Sequence, residues 1–177
     1  MTEIHPAQRP GAHLRVALAI ALLAVTSAGG AASGGAPAPG IDPITFFTGA
    51  TESVGMLKQA FSSAKASHVT GIGAMRSNGV FVIDQTISIA GEPTRNRQWQ
   101  LRQISLGQFG GTVSDGTSPV TIAASGNRLV IRYTMRGGLG LTSVLTIAPD
   151  GRSGRNETRI KKWGITVATL SETIRKN

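Results

Sequence analysis

Residues 80–89 read VFVIDQTISI, and this short sequence indicates the fold more clearly than any other part of the chain. Its side chains alternate with a period of two, which is typical of a β-strand with one face buried. The preceding residues Ser77, Asn78 and Gly79 tolerate positive φ and are typical of a tight turn. Residues 68–76 are therefore predicted to be the hairpin partner of this strand. Its apolar face holds Phe81, Ile83, Ile87 and Ile89.

The same rhythm continues along the chain, with short apolar stretches separated by turn residues at intervals of about ten positions. Turns are expected at Asn78-Gly79, Gly126-Asn127 and Asp150-Gly151. This pattern favours an all-β fold, a single closed antiparallel barrel. Further strands are predicted at 95–103, 108–114, 120–124, 128–136 and 139–147, whereas the spacing in 165–176 fits both a strand and a helix.

The amino-terminal segment has the layout of a secretory signal peptide. Arg9 and Arg15 precede an apolar run, 16–25, and small residues follow it. A membrane-spanning helix needs roughly 20 residues, so we expect this ten-residue run to be removed after export. We predict a signal peptide at 1–32, a flexible Gly-, Ala- and Pro-rich lead-in at 33–43 and a barrel domain at 44–177. The mature chain is expected to have no transmembrane segment and to be exported to the periplasm of a Gram-negative bacterium.

Composition limits the kinds of partner. The chain has 18 Lys and Arg against 9 Asp and Glu, a formal net charge of +9, and it has no Cys. The absence of Cys excludes disulfides, thiolate metal sites and a cysteine nucleophile. A basic exported protein is expected to be attracted to anionic envelope surfaces, although the same charge can simply maintain solubility. Nucleic acid is not an expected partner.

Residue patterns for catalysis or cofactor binding are weak. His68 is the only histidine after the predicted signal peptide, and no Gly-x-Ser-x-Gly motif accompanies it. The acidic residues are scattered along the chain and do not form a metal-binding loop. No catalytic residue, metal ligand or cofactor is therefore assigned, and an enzyme is the less favoured class.

A barrel interior offers a site for a lipid or another amphipathic small molecule. A barrel of about eight strands can be filled by side chains or can hold one small ligand, and the sequence leaves both alternatives open. Strand parity also places Lys162 inward, where it would reach an opening or meet an acidic ligand group. The candidate interior residues are Phe81, Ile83, Trp99, Leu101, Leu129, Ile131, Tyr133, Met135 and Lys162.

The alternative function is an interaction module that docks to an anionic envelope surface. Arg128, Arg132 and Arg136 repeat every four residues along a predicted strand and lie opposite its apolar face, so we expect them outside the barrel. A second basic group comprises Arg152, Arg155, Arg159 and Lys161.

Both ends of the predicted barrel carry distinctive motifs. Residues 46–49 (FFTG) and 55–57 (GML) open it, and residues 156–165 (NETRIKKWGI) close it, with an Asn followed by Lys, an aromatic residue and Gly. These motifs resemble an uncharacterised bacterial family, the domain of unknown function 3833. The resemblance implies an exported, often lipid-anchored protein with a lipocalin-like barrel and no established activity. This chain lacks the Cys that would carry a lipid, and Thr142-Ser143-Val144 stands where members often have acidic residues and a Trp. The motif residues are Phe46, Phe47, Gly49, Gly55, Asn156, Lys162 and Gly164.

Overall fold

The computed structural model describes residues 41–177, so the predicted signal peptide and most of the predicted lead-in lie outside the described residues. The described part consists of one short helix and ten strands. Their bounds are α1 Pro43–Phe47, β1 Gly49–Gln59, β2 Lys65–Met75, β3 Phe81–Ile89, β4 Arg95–Ser105, β5 Gln108–Val113, β6 Val120–Ser125, β7 Arg128–Met135, β8 Leu139–Ile147, β9 Ser153–Lys162 and β10 Ile165–Lys176.

The strands form one closed antiparallel barrel, which confirms the predicted fold class. Each strand pairs with its neighbours in the chain, and β1 pairs with β10 to close the sheet, from Thr51 with Lys176 to Gln59 with Ala168. The ambiguous last segment is the strand β10, because it pairs with both β9 and β1. The three predicted turns are also present, with φ of +73° at Gly79, +55° at Gly126 and +65° at Gly151.

The barrel has two different ends. The turns after β2, β4, β6 and β8 lie at the end that carries α1, which we call the closed end. The five remaining turns, 60–64, 90–94, 114–119, 136–138 and 163–164, lie at the opposite end, which we call the open end. In an antiparallel barrel of hairpins this alternation follows directly from the strand order.

Helix α1 packs across the closed end. Asp42 caps it, because the Ile44 N–H donates a 2.9 Å hydrogen bond to Asp42 Oδ1, and Pro43 occupies the first turn. Phe46 is 2% exposed and belongs to the main hydrophobic core. On β2, a Cβ at Gly73 would collide with the carbonyl oxygen of Phe47, so this glycine allows the helix to approach the sheet. Within residues 41–177 no helix combines the length and apolar character needed to span a membrane.

The hydrophobic core is divided into two clusters. The larger one includes Phe81 and Leu129, both 0% exposed, and extends to Phe46 of α1. The smaller one is formed by Leu57, Val69, Ile87, Ile89 and Ala168. Along β10, Glu172 lies between Ile174 of the larger cluster and Leu170, which packs on the smaller one. A polar layer therefore interrupts the apolar interior.

Candidate functional site

The barrel encloses a cavity of about 590 Å³. This volume falls within the range of pockets that hold small molecules. The cavity runs from Pro43 and Phe47 at the closed end to Ala60, Glu92 and Arg95 at the open end. Side chains therefore do not fill the whole interior.

The structure brings most of the predicted interior residues together around this cavity. Phe81 and Leu129 are completely buried in the larger cluster but do not line the space. Lys162 does not line it either, since its Nζ lies 4.7 Å from the ring centroid of Trp163 in the β9–β10 turn. The predicted residues that line the cavity are Ile83, Trp99, Leu101, Ile131, Tyr133 and Met135.

One wall of the cavity carries a connected set of buried polar side chains on β1, β8, β9 and β10. Asn156 is its centre, because its Nδ2 donates to Glu172 Oε2 at 3.1 Å and to Thr158 Oγ1 at 3.3 Å, while its Oδ1 accepts from Ser143 Oγ. Ser53 Oγ donates to Glu172 Oε1 at 3.2 Å. We call Ser53, Ser143, Asn156, Thr158 and Glu172 the Asn156 network.

Two glycine-bearing motif positions are explained by this part of the barrel. A Cβ on Gly55 of β1 would collide with backbone and side-chain atoms of Glu172 and with the Ser171 carbonyl oxygen. Gly55 thus leaves room for the carboxyl group that Asn156 and Ser53 bind. Gly164 has a φ of +82° in the β9–β10 turn, a conformation that favours glycine.

The facing side of the cavity holds a second polar group, made by Gln85, Arg97, Trp99 and Tyr133, which we call the Trp99 cluster. Gln85 Oε1 accepts from Trp99 Nε1 at 2.7 Å and from Arg97 Nε at 3.0 Å. The Arg97 guanidinium lies 5.1 Å from the Trp99 ring centroid, and the Tyr133 ring meets Trp99 edge to face at 5.5 Å. These contacts hold the cation and the phenol against the same indole.

The Tyr133 hydroxyl has no hydrogen-bond partner within residues 41–177, although Tyr133 is only 5% exposed. Burial raises the pKa of Tyr133, and the nearby Arg97 guanidinium opposes this shift. Arg97 Nη1 also lies 3.7 Å from Asp115 Oδ2, while Asp115 Oδ1 is a second buried atom without a partner. A neutral phenol donor and a guanidinium together can bind a carboxylate, phosphate or carbonyl oxygen.

Sequence analysis missed Gln85, Arg97, Ser53 and Glu172. Period two contained the necessary signal, since Gln85 lies between Ile83 and Ile87, and Arg97 lies two residues before Trp99. Glu172 likewise lies between Leu170 and Ile174 on β10.

The predicted surface cations lie outside the barrel. Arg128 and Arg132 are exposed and make no ion pair within the described residues, while Arg136 Nη2 donates to the Ser114 carbonyl at 3.3 Å. Arg155 pairs with Glu157 at 2.8 Å, and this hydrogen bond lowers the pKa of Glu157. The remaining members of the second basic group, Arg152, Arg159 and Lys161, are exposed.

Residues 41–177 contain no cluster of metal-binding side chains. No group of three His, Asp or Glu side chains there could hold a metal ion. His68 lies on the outer surface, where its Nε2 is 2.6 Å from Glu52 Oε1.

Solved structures with a similar fold include the S-type phycobiliprotein lyase CPES from Guillardia theta. It superposes with a TM-score of 0.61 at 7% identity, over 76% of this chain and 90% of the lyase. A protein of unknown function from the DUF3598 family of Nostoc punctiforme superposes with a TM-score of 0.59 at 12% identity, over 80% of this chain. The chain spans about half, 51%, of that second protein. At these identities the likeness concerns the fold alone.

Sequence comparison with characterised proteins and with families gives different results. No curated protein matches this chain. Residues 21–176 match the family described as protein of unknown function, DUF3833, and since this match covers most of the chain, the protein belongs to that family.

Proposed function

We propose that the protein, once exported, binds one apolar or amphipathic small molecule inside the barrel. The observation that carries this proposal is the cavity of about 590 Å³. Apolar side chains from both hydrophobic clusters line it, including Leu57, Ile83 and Leu141. A pocket with mostly apolar walls and a few convergent polar groups is the usual form of a small-molecule site.

The polar end of the ligand is proposed to be acidic and to bind at the Trp99 cluster. A buried hydroxyl without a partner costs about 1–3 kcal/mol, and a ligand oxygen accepting from Tyr133 would remove that cost. Arg97 supplies the matching positive charge, and Arg95 also lines the cavity near the open end. Arg97 replaces Lys162 as the proposed contact for the acid, because Arg97 lines the cavity and Lys162 does not.

The apolar part of the ligand would then extend toward α1. Phe47 and Ile174 line this deeper region, and Leu101 and Leu145 lie on its walls. The likeness to the phycobiliprotein lyase supports the proposal only by showing that another protein shares this barrel.

Native mass spectrometry of the protein purified from its own host tests whether a ligand is present. A co-purifying mass of lipid size is expected, and it should be lost on unfolding. The proposal would be overturned if the spectra showed protein without any added mass and the protein also failed to bind the fluorescent probe anilinonaphthalene sulfonate.

A fluorescent probe tests the proposed orientation. Anilinonaphthalene sulfonate combines an apolar body with an anionic group, so it should bind in the cavity with its sulfonate at Arg97. Arg97→Gln is expected to weaken binding by about tenfold or more, because hydrogen bonds to charged groups contribute about 1.5–3 kcal/mol. Arg132→Gln is the matched control, since Arg132 is exposed on the outer face. Equal effects of the two substitutions would contradict the assignment of Arg97.

A second candidate function is docking to an anionic envelope surface through the outer arginines. The exposed Arg128 and Arg132, which have no ion-pair partner within residues 41–177, favour it. Vesicle binding by the variant Arg128→Gln, Arg132→Gln, Arg136→Gln tests this candidate, because docking through these arginines should then fall about 150-fold.

A further inference from the structure

The open end of the barrel carries two aromatic side chains that the cavity does not use. Phe61 lies in the β1–β2 turn and is fully exposed, and Trp163 lies in the β9–β10 turn and is 87% exposed. These turns are neighbours, because β1 pairs with β10 and the Ala60 N–H donates to the Val167 carbonyl at 2.8 Å. We call Phe61 and Trp163 the mouth pair, since Ala60 and Val167 both line the cavity.

The backbone of the mouth pair is unusual. Phe61 has a φ of +61° and Trp163 a φ of +50°, and they are the only non-glycine residues with positive φ in the described part of the chain. Bulky side chains rarely adopt this left-handed conformation, and strained positions of this kind cluster at functional sites. Glycine or Asn would fit both turns with less strain. The chain instead places a large aromatic side chain in solvent at each turn.

The open end carries more cationic than acidic residues, although Lys65 pairs with Glu92 at 2.8 Å. Six cationic residues and two acidic ones, Glu92 and Asp115, lie within two positions of the five open-end turns. Lys162 Nζ lies 4.7 Å from the Trp163 ring centroid. Ile165, two residues after Trp163, is 69% exposed. The six cations are Lys58, Lys65, Arg95, Arg136, Lys161 and Lys162.

We propose that the open end docks onto an anionic lipid bilayer, with Phe61 and Trp163 inserted among the headgroups. Aromatic side chains are favoured at this depth, and neighbouring lysines can keep their ammonium groups on lipid phosphates. The excess of cations at this end adds attraction to anionic lipid. Docking in this orientation turns the cavity mouth toward the membrane. The docking stands on the surface residues alone and does not depend on what the cavity holds.

Cosedimentation with lipid vesicles tests the proposal. The probe is a vesicle of equal parts phosphatidylglycerol and phosphatidylcholine, compared with phosphatidylcholine alone. The protein purified from its host should bind the anionic vesicles, and binding should weaken as salt rises. The double variant Phe61→Asn, Trp163→Asn should bind about tenfold or more weakly. Asn tolerates positive φ, so the unfolding temperature of this double variant should not fall below that of the wild type.

The closed end provides a matched control. Ile104 and Leu106 are exposed apolar residues at the β4–β5 turn, 73% and 82% exposed, far from the cavity mouth. The double variant Ile104→Asn, Leu106→Asn removes a comparable apolar pair and should bind vesicles like the wild type. Equal losses in both double variants, or unchanged binding in the mouth variant, would overturn the proposal. A wild type that binds no anionic vesicles would also overturn it and would leave the mouth pair to a protein partner.

Tryptophan fluorescence gives an independent readout. The chain has two tryptophans, and Trp99 is buried in the cavity wall whereas Trp163 is exposed. Vesicles should therefore shift the emission of Trp163 to the blue, and brominated lipid should quench it. Trp163→Phe should abolish both changes while leaving the Trp99 signal. A blue shift that persists in Trp163→Phe contradicts insertion of this residue.

Discussion

The Asn156 network and the Trp99 cluster lie in the same cavity but differ in how completely their polar atoms are paired. Every side chain of the Asn156 network bonds to another member, and Asn156 alone makes three such hydrogen bonds. In the Trp99 cluster, the Tyr133 hydroxyl and the neighbouring Asp115 Oδ1 have no partner within residues 41–177. The Asn156 network is buried, and in the Trp99 cluster Trp99 and Tyr133 are buried while Gln85 and Arg97 are half-buried. The two atoms without a partner are themselves buried, so bulk solvent does not satisfy them.

This difference indicates two roles. A fully bonded buried network is complete without a ligand and serves to fix one arrangement of the strands around it. A buried donor without a partner destabilises the free protein and can recover that cost only when an acceptor arrives. We therefore expect substitutions in the network to act mainly on stability. In the cluster, loss of the polar groups of Arg97 and Tyr133 should act mainly on binding, whereas the Trp99 indole also belongs to the hydrophobic core.

The largest effect is expected for Trp99→Ala. Removing a buried large aromatic side chain costs roughly 3–5 kcal/mol of unfolding free energy, and this change also removes the bond to Gln85. Trp163→Ala is the control, because Trp163 is 87% exposed and surface substitutions usually change stability by less than about 0.5 kcal/mol. Urea titration followed by circular dichroism measures both. Equal unfolding midpoints for Trp99→Ala and wild type would mean that the indole contributes no packing.

Asn156→Leu tests the Asn156 network. Leucine has a similar size but cannot bond to Glu172, Thr158 or Ser143, so three buried hydrogen bonds are lost, at a combined cost of roughly 2–4 kcal/mol. The control Asn96→Leu removes an exposed bond between Thr86 and Asn96 on the outer face and should cost far less. The free energy of probe binding at the Trp99 cluster should change less than the free energy of unfolding does. A variant that keeps its stability and loses probe binding would reverse the roles assigned to the two walls.

How well each strand could be predicted from the sequence depends on which of its residues face the barrel interior. Strands such as β3 and β7 were predictable because most of their inward residues are apolar, Gln85 being the exception, and their outward residues include Asp84, Arg128 and Arg132. β1 shows no such alternation, because its buried positions include Thr51 and Ser53 and a glycine stands at 55. Helix α1 has only five residues, too few to show a helical period.

The candidate site was harder to predict than the fold. Charged side chains on strands are assigned outward by default, so Arg97 and Glu172 were not considered despite their parity with apolar neighbours. Arg97 and Glu172 can lie inside because the barrel is wide enough to leave a cavity. This width results from the closure of ten strands. Strand number and closure arise from pairings such as β1 with β10, which no local pattern encodes.

Tyr133→Phe removes a single heavy atom, the phenol oxygen, from the Trp99 cluster. Removing the hydroxyl that has no partner should leave unfolding free energy unchanged or raise it by about 1 kcal/mol, while probe affinity falls. Burial raises the pKa of Tyr133 in the folded protein. The contribution of the protonated phenol to the unfolding free energy is therefore fully present below the unfolded tyrosine pKa of about 10. It is lost as pH rises through the higher pKa of the folded protein.

The pH dependence can be assigned cleanly because Tyr133 is the only tyrosine in the chain. Phenolate absorbance reports its titration directly, and Tyr133→Phe should show a smaller loss of stability above about pH 10 than the wild type. A stability drop of at least 1 kcal/mol in Tyr133→Phe at neutral pH would show that the hydroxyl is bonded in the free protein.

The smallest effect on stability is expected on the outer face, where the combined variant Arg128→Gln, Arg132→Gln, Arg136→Gln contrasts with the inward Arg97. Arg128 and Arg132 are solvated, and exposed charges contribute less than about 1 kcal/mol even when paired. Arg128 begins β7 at the closed end, Arg132 lies in the middle of β7, and Arg136 follows β7 in the open-end turn, so a bilayer at the mouth can reach only Arg136. At about 1 kcal/mol for each basic residue near an anionic membrane, vesicle binding should fall about fivefold. Docking along the side of the barrel would instead engage all three residues and predict a fall of about 150-fold, so the measured ratio decides which face meets the membrane.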